Sequence, residues 1–209
     1  MTPLMAKLAV LISGSGSTML NLASAIQRGE LPARIELVIA SRPDAGGIER
    51  ARSVGLRCEV INRKAYPDTE AYSDALARCL DAAGVDLVCM AGYLCFWHIP
   101  DRWLGRTLNI HPSLLPQFGG RGMHGMRVHE AVLRAGAIVS GCTVHYADNQ
   151  YDHGPIILQR SCPVLPDDTL ETLAKRVFQE EVQAYPAAIA KAWGNILSRR
   201  GNVPPGTSQ

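Results

Sequence analysis

This 209-residue chain has no excess charge of one sign, because 21 Lys and Arg are balanced by 19 Asp and Glu. The resulting net charge of +2 gives no reason to expect electrostatic binding to nucleic acid or to a membrane surface. Long hydrophobic runs are missing too. The first apolar stretch, residues 8–12, is too short to span a bilayer and is not followed by a signal-peptide cleavage pattern. These absences favour a cytoplasmic protein without nucleic-acid or membrane partners.

Paired cysteine motifs are also absent. No Cys-x-x-Cys occurs, and no histidine stands at zinc-binding spacing from a cysteine. The pattern predicts reduced, buried thiols, with neither a disulfide framework nor a bound metal. The six cysteines are Cys58, Cys79, Cys89, Cys95, Cys142 and Cys162.

Apolar runs alternate with helical patterns through the first hundred residues, and hydrophobic residues make up 47% of the chain. Strands separated by single helices are typical of βαβ units, so the sequence predicts an α/β fold with a mostly parallel, twisted sheet flanked by helices. The predicted strands are residues 7–13, 34–40, 58–61 and 87–91. The predicted helices are residues 19–28, 46–54 and 68–83.

The alternation of strands and helices is less regular in the second half of the chain. A strand at 107–111 is followed by a glycine-rich loop at 117–126, and the remaining pattern predicts a helix at 128–135 and strands at 141–146 and 155–164. The chain is predicted to be helical from Thr169, with a break or kink at Pro186. We find neither an internal repeat nor a linker, so a single domain is expected over residues 1–200, followed by a disordered tail at 201–209.

The stretch from Leu108 to Pro116 carries the most specific chemistry. Residues i and i+2 of a strand face the same way, so Asn109 and His111 are expected to point into one site. They offer a neutral donor and a titratable group to a carbonyl oxygen that gains charge. Taken alone, the pair also fits a strand end with a structural histidine.

A glycine–serine loop joins the first strand to the first helix. Gly16, Ser17 and Thr18 place backbone N–H groups and hydroxyls at a helix start, which suits an anion. The loop lacks the Gly-Lys-Ser/Thr of a Walker motif and the third glycine of a dinucleotide fingerprint. A phosphate monoester is the favoured ligand, and a plain strand–helix turn is the alternative.

Other polar and aromatic residues are weaker candidates. Asp152 precedes a Gly-Pro turn and could orient a histidine, although Asp is common in such turns. Phe96 and Trp97 follow the fourth strand and could line a ligand pocket or belong to the core. We interpret His145 as a strand residue with a structural hydrogen bond. Surface positions are expected for His124, His129 and His153, and a solvated helix face for Glu180 and Glu181.

Together these segments resemble the phosphoribosylglycinamide formyltransferase family over residues 8–186. The resemblance implies a Rossmann-like formyltransferase fold and transfer of a formyl group from 10-formyltetrahydrofolate to the amine of 5-phosphoribosylglycinamide, in de novo purine biosynthesis. The matching segments are Ile12-Ser13-Gly14-Ser15-Gly16-Ser17, Asn109-Ile110-His111-Pro112-Ser113-Leu114-Leu115-Pro116, Gly141-Cys142-Thr143-Val144-His145 and Asp152-x-Gly154-Pro155-Ile156-Ile157.

The resemblance also implies residue roles. Gly16, Ser17 and Thr18 would hold the substrate phosphate, and Glu181 would lie near the substrate amine. Asn109 and His111 would meet the oxyanion, while Asp152 would keep His111 protonated and help move the amine proton to the departing folate nitrogen. Formyl-folate would contact Thr69, Leu94, Cys95, Phe96, Trp97 and Asn109. Residues 1–100 would form the phosphate-substrate half and residues 101–200 the catalytic and folate half.

The chain departs from the family pattern at several positions. Thr18 replaces the usual Asn, while Cys95 and Thr69 stand where arginines are common on the folate side. The loop at residues 119–126 contains extra residues compared with the family, and His153 stands where a small residue is more usual.

The resemblance leaves some alternatives open. They are a formyltetrahydrofolate deformylase, which would give the formyl group to water, a formyltransferase for another phosphorylated amine, and a non-catalytic binding module. In each case the partners are small molecules, no metal is expected, and the protein would be a monomer or a homodimer.

Overall fold

A computed structural model describes residues 4–201, with side chains to residue 199. It contains one seven-stranded sheet in the order β3-β2-β1-β4-β5-β6-β7. The strands are β1 (Ala6–Ile12), β2 (Ala33–Ala40), β3 (Cys58–Val60), β4 (Leu87–Met90), β5 (Thr107–His111), β6 (Val139–Tyr146) and β7 (Ile156–Pro163). The pairs from β3 to β5 are parallel, and β6 and β7 are added antiparallel. The predicted α/β class and mostly parallel sheet are confirmed.

Helices cover both faces of the sheet. They are α1 (Ser17–Gln27), α2 (Gly47–Ser53), α3 (Thr69–Ala83), α4 (Met126–Arg134) and α5 (Leu170–Gly201). Alternate residues of β1 supply two separate cores: Leu8 and Val10 pack with α1 and α5, while Ala9 and Leu11 pack with α3. This alternation explains why β1 is apolar throughout, because a central parallel strand is buried on both faces.

The last helix differs from the prediction at Pro186. Helix α5 continues through this proline without a break, although proline cannot donate to the carbonyl four residues earlier. That carbonyl belongs to Val182, and Asn21 of α1 donates its side-chain Nδ2–H to it at 3.0 Å. The predicted break is therefore wrong, because a neighbouring helix supplies the missing donor, and the kink given as its alternative stays a prediction. The helix also includes Gly201, and the rest of the predicted tail lies outside the described residues.

The cysteine prediction is met only in part. All six cysteines are free thiols, but Cys58, Cys79 and Cys95 are only half-buried. Burial raises the pKa of Cys89 to about 12, so this thiol stays protonated. In the part of the chain that the structure describes, no group of three or more His, Cys, Asp or Glu side chains is arranged to hold a metal ion. No helix among residues 4–201 is long and apolar enough to cross a membrane.

Candidate active site

The site lies at the carboxyl ends of the central strands, where the chain order reverses between β1 and β4. Strand β5 ends here with Asn109 and His111. The antiparallel register of β6 sets His145 opposite Asn109 and Thr143 opposite His111. Local strand geometry therefore places the Asn-x-His pair, and the β5–β6 register adds a second histidine beside it.

Asp152 joins this cluster from the loop between β6 and β7. Its Oδ1 accepts from Asn109 Nδ2 at 3.4 Å and lies 3.5 Å from His111 Nδ1. Its Oδ2 accepts the Gly120 backbone N–H at 2.9 Å. Asp152 has a φ of 52°, a left-handed conformation that is uncommon for residues other than glycine. The structure thus brings together Asn109, His111 and Asp152, and it links the carboxylate to the glycine-rich loop.

Burial and hydrogen bonding set the charges in the cluster. Burial lowers the pKa of His111 below its ordinary value, and the charge of Asp152 and the carbonyl of Phe118 oppose this effect only in part. Burial would raise the pKa of Asp152, but the nearby His145 ring, the charge of His111 and the hydrogen bond from the Gly120 amide bring it below its ordinary value. At neutral pH the carboxyl is ionised and His111 is mostly neutral. Asp152 acts in the expected direction, because its charge raises the pKa of His111, but desolvation has the larger effect without substrate. Its role in keeping His111 protonated during the reaction stays a prediction.

The hydrogen bonds of His111 also define its tautomer. The Phe118 carbonyl lies 2.9 Å from His111 Nε2, and a carbonyl can only accept, so Nε2 carries the hydrogen. In the neutral ring Nδ1 is then bare and faces Asp152. Protonation at Nδ1 would therefore place a second N–H directly toward the Asp152 carboxylate.

His145 is more than the structural residue that we expected. Its Nδ1 lies 3.0 Å from the Tyr146 carbonyl, which requires a hydrogen on Nδ1 and leaves Nε2 as an acceptor. Asn109 Nδ2 lies 3.1 Å from that Nε2 and donates to it. His145 thereby fixes the orientation of the Asn109 amide. A pattern within one strand could not reveal this role, because it depends on the pairing of β5 with β6.

A buried hydrogen-bond network supports the turn after His111. Thr143 Oγ1 donates to the Ser113 carbonyl at 2.7 Å and accepts from Leu115 N–H at 3.0 Å. Gln159 Nε2 donates to Thr143 Oγ1 at 2.8 Å and to the Leu115 carbonyl at 2.9 Å. These contacts hold residues 113–115 in place. The chain then turns so that the Phe118 carbonyl reaches His111.

An aromatic cleft opens beside the cluster and has a cavity volume of about 150 Å³. That volume is below the roughly 300–1,000 Å³ of pockets that enclose drug-sized ligands, so a folate would extend beyond the cleft. Leu94, Cys95, Phe96 and Trp97 line it, together with Asn109, His111 and Asp152.

The edge of the cleft includes one aromatic residue that we did not expect. Tyr151 packs against Phe96 with 5.2 Å between ring centroids. Thr69 lies at the start of α3, outside this cleft, and accepts a hydrogen bond from Arg63 at 3.2 Å.

The glycine–serine loop contacts the cleft through Ser13. The Ser13 hydroxyl accepts the backbone N–H of Leu94 at 2.8 Å. Gly16 adopts a φ of 75° and is followed by the first residue of α1, Ser17. Thr18 lies in the same first turn. The predicted phosphate loop and the predicted folate loop are therefore neighbours, joined by one hydrogen bond.

Glu181 is the least solvated acidic candidate. Its side chain is only partly exposed, and burial raises the pKa of its carboxyl to about 7. The charge of Glu181 contributes to the raised pKa values of Cys142 and Tyr185, so its carboxyl lies near β6 and the buried Tyr185 of α5. Glu180, in contrast, pairs with Arg160 at 2.7 Å. A solvated face is therefore the wrong description for Glu181.

The remaining histidines differ in exposure. His124 and His153 are exposed, as expected, and His124 lies at the edge of the cleft. His129 is buried, with only 5% of its surface exposed, so its predicted surface position is wrong. Helix α4 directs this side chain inward, and burial lowers its pKa.

Comparison with known proteins identifies the family. The formyl transferase family model matches residues 6–189. A phosphoribosylglycinamide formyltransferase of Haemophilus influenzae is 35% identical, covering 88% of this chain and 86% of that protein. The crystal structure of glycinamide ribonucleotide transformylase 1 from Symbiobacterium toebii has a TM-score of 0.85 and 44% identity, and the match covers 91% of this chain and 89% of that one.

Other relatives are much longer. The trifunctional purine biosynthetic protein adenosine-3 of Drosophila pseudoobscura pseudoobscura is 41% identical over 94% of this chain. The chain spans 14–18% of the length of this and the related trifunctional proteins it matches. This chain belongs to the formyl transferase family and, within it, to the phosphoribosylglycinamide formyltransferases.

Proposed function

We propose that this protein transfers the formyl group of 10-formyltetrahydrofolate to the amine of 5-phosphoribosylglycinamide, a step of de novo purine biosynthesis. The observation that carries the proposal is the convergence of Asn109, His111 and Asp152 at an aromatic cleft that is hydrogen-bonded to the glycine–serine loop. Family membership supports the same reaction class.

The reacting carbonyl would lie between Asn109 and His111. The substrate amine attacks the formyl carbon, and the carbonyl oxygen becomes an oxyanion. The two hydrogens of Asn109 Nδ2 have His145 Nε2 and Asp152 Oδ1 as acceptors, so the oxyanion takes the place of one of these contacts. An oxyanion-hole donor of this kind contributes roughly 3–4 kcal/mol to the barrier.

Proton transfer would involve Asp152 and His111. Attack makes the amine nitrogen cationic, and the ionised Asp152 carboxylate is the nearest base in the cluster. Asp152 passes the amine proton to His111 Nδ1, which faces it, because the nearby oxyanion raises the His111 pKa. The protonated His111 then stabilises the intermediate. As the oxyanion reforms the carbonyl and the C–N bond breaks, the same proton returns through Asp152 to the departing folate nitrogen. General acid–base help of this kind contributes roughly 10²–10⁴-fold.

The two substrates would bind at neighbouring loops and meet at the cluster. We assign the phosphate to Gly16, Ser17 and Thr18, whose N–H groups and hydroxyls suit an anion. Glu181 would lie near the amine, where its raised pKa allows either protonation state at neutral pH.

Formyl-folate would lie along the segment Leu94–Trp97 at Asn109, with its ring beside Phe96 and Tyr151. Thr69 could contact only the part that extends outside the cleft. Because Cys95 and Thr69 carry no charge, we propose that aromatic contact contributes more than ion pairing to folate binding in this chain.

The alternative, a deformylase, gives the formyl group to water. Purified protein should be supplied with 10-formyltetrahydrofolate, with and without 5-phosphoribosylglycinamide, while formate and formylated product are both measured. We expect product to form and formate release to be negligible without the amine. Equal formate release in both reactions would contradict the transferase assignment. The cytoplasmic location, the monomeric or homodimeric state and the division into two functional halves stay predictions.

A further inference from the structure

A cation on α2 stands beside the glycine–serine loop, although no sequence pattern singled it out. Arg50 lies in the last turn of the short helix α2, and its Nη1 donates to Ser17 Oγ at 3.3 Å. The same hydroxyl lies 3.1 Å from Ser15 Oγ. The guanidinium therefore reaches the first residue of α1, where backbone N–H groups are free to bind an anion.

Two glycines hold α2 at this distance from the loop. A Cβ on Gly16 would lie 2.8 Å from Gly47 Cα, which is too short for a real side chain. A Cβ on Gly47 would lie 3.1 Å from Gly16 Cα and 3.2 Å from the Gly14 carbonyl oxygen, so it would press on the backbone of the loop. The close approach therefore depends on glycine at both positions. Gly47 N–H also donates to the Gly14 carbonyl at 2.9 Å. The loop and α2 are thus packed as one unit, which places the backbone of Arg50 beside the loop.

The charge of Arg50 is not neutralised within the described residues. Neighbouring arginines have carboxylate partners: Arg42 pairs with Asp44 at 3.4 Å, and Arg52 pairs with Glu49 at 3.9 Å. Among residues 4–201, the Arg50 guanidinium forms no ion pair with a carboxylate and contacts the neutral Ser17 hydroxyl instead. An exposed cation held against an anion-binding loop is available to a charged ligand.

We propose that Arg50 binds the substrate phosphate and sets the specificity for a phosphorylated acceptor, an inference that rests on the proposed function. Phosphate oxygens would accept hydrogen bonds from the α1 backbone, Ser17 and the Arg50 guanidinium together. Charge-assisted bonds of this kind are roughly twice as strong as neutral ones. Arg50 touches only the remote end of the substrate, so it contributes to binding and leaves the reacting atoms unaffected.

The experiment compares Arg50→Gln with Arg52→Gln, which removes a charge from the same helix but from the arginine paired with Glu49. For Arg50→Gln we expect the KM for 5-phosphoribosylglycinamide to rise roughly 10- to 100-fold, with kcat and the KM for 10-formyltetrahydrofolate within about twofold. Inorganic phosphate should inhibit the wild type competitively against the amine substrate, and its inhibition constant should rise in Arg50→Gln. Arg52→Gln should match the wild type in every measurement.

The result separates this inference from the proposed function. If the wild type forms product but the KM of Arg50→Gln equals that of Arg52→Gln, Arg50 has no part in phosphate binding. A loss confined to kcat would overturn the assignment as well. If the wild type does not formylate 5-phosphoribosylglycinamide, the proposed function fails. Direct calorimetry of inorganic phosphate binding to the three proteins then tests Arg50 alone, with equal affinities counting against it.

Discussion

Asp152 is the residue on which the cluster depends most, because one carboxylate contacts both members of the Asn-x-His pair and the glycine-rich loop. Replacing it with Asn keeps the size and removes the charge. We expect Asp152→Asn to lower kcat by roughly 10²- to 10⁴-fold while either KM changes by less than about tenfold. Steady-state kinetics with both substrates measure this. The control is Asp148→Asn, which removes a carboxylate of the same loop that pairs with His153 at 3.0 Å. Similar turnover in the two variants would exclude the assigned role.

His145 gives a second prediction, because its Nε2 can only accept in the observed tautomer. In His145→Asn the Asn109 amide loses a fixed acceptor, so its donor is less well directed at the formyl oxygen. We expect kcat to fall about 10-fold or more, whereas a residue with only a structural role would lower stability and leave turnover per folded molecule unchanged. Turnover normalised to the folded fraction, measured by urea unfolding, distinguishes the two. Full turnover would assign His145 to the scaffold alone.

Local patterns explain which site residues were predictable. The shared direction of Asn109 and His111 follows from strand geometry, and the anion preference of Gly16 and Ser17 follows from a helix start. Asp152 approaches the pair from a loop more than 40 residues away, so its turn showed only that it could orient a histidine, and the family resemblance indicated which one. The role of His145 and the position of Arg50 depend on pairing between separate elements. Neither the His145–Asn109 contact nor the Arg50–Ser17 contact can be predicted from the spacing of residues along the chain.

At the scale of helices and strands, α5 continues through Pro186 although proline usually breaks a helix. A contact with α1 explains the difference. Asn21 donates to the Val182 carbonyl, which proline leaves without its helical partner. Asn21→Leu should therefore destabilise the protein by about 1 kcal/mol, the usual net value of such a bond.

A double-mutant cycle with Pro186→Ala isolates this effect. Alanine restores a backbone N–H that can donate to Val182, so Asn21→Leu should cost less in the Pro186→Ala background, by roughly 0.5–1 kcal/mol. Urea unfolding of the four proteins measures the coupling. If Asn21→Leu costs the same in both backgrounds, the Asn21 amide does not compensate for the proline.

Element positions were otherwise predictable, because the central strands are buried apolar runs and the first helices alternate with them and are followed by glycines. Boundaries differ by one or two residues, as for α4, which starts at Met126 and not at Val128. The inward position of His129 was missed because a lone histidine carries no hydrophobic signal, even though α4 places it on the same face as Val132.

For the molecule as a whole, the buried carboxyl of Glu181 affects both the proposed substrate binding and the free energy of unfolding. Burial raises the pKa of this carboxyl from 4.5 to about 7, so the folded state disfavours the charged form. In the unfolded chain the group ionises near pH 4.5. Between these values the folded state binds more protons, and stability falls as the pH rises through this window. At about 1.4 kcal/mol per pKa unit, the loss approaches roughly 3 kcal/mol above pH 7.

Glu181→Gln removes this titration and should therefore flatten the dependence of stability on pH. Between pH 5 and pH 8 we expect the wild type to lose about 2 kcal/mol more unfolding free energy than Glu181→Gln, measured by urea unfolding at each pH. Glu180→Gln serves as the matched control, because Glu180 pairs with Arg160. This substitution should leave the dependence of stability on pH as it is in the wild type. Kinetics of the same variant should show weaker binding of the amine substrate. A more stable but less active Glu181→Gln at pH 8 would mean that the chain keeps a costly buried carboxyl for its use at the substrate amine. If Glu181→Gln leaves the pH dependence of the unfolding free energy unchanged, Glu181 is solvated in the folded protein and its ionisation does not destabilise the fold.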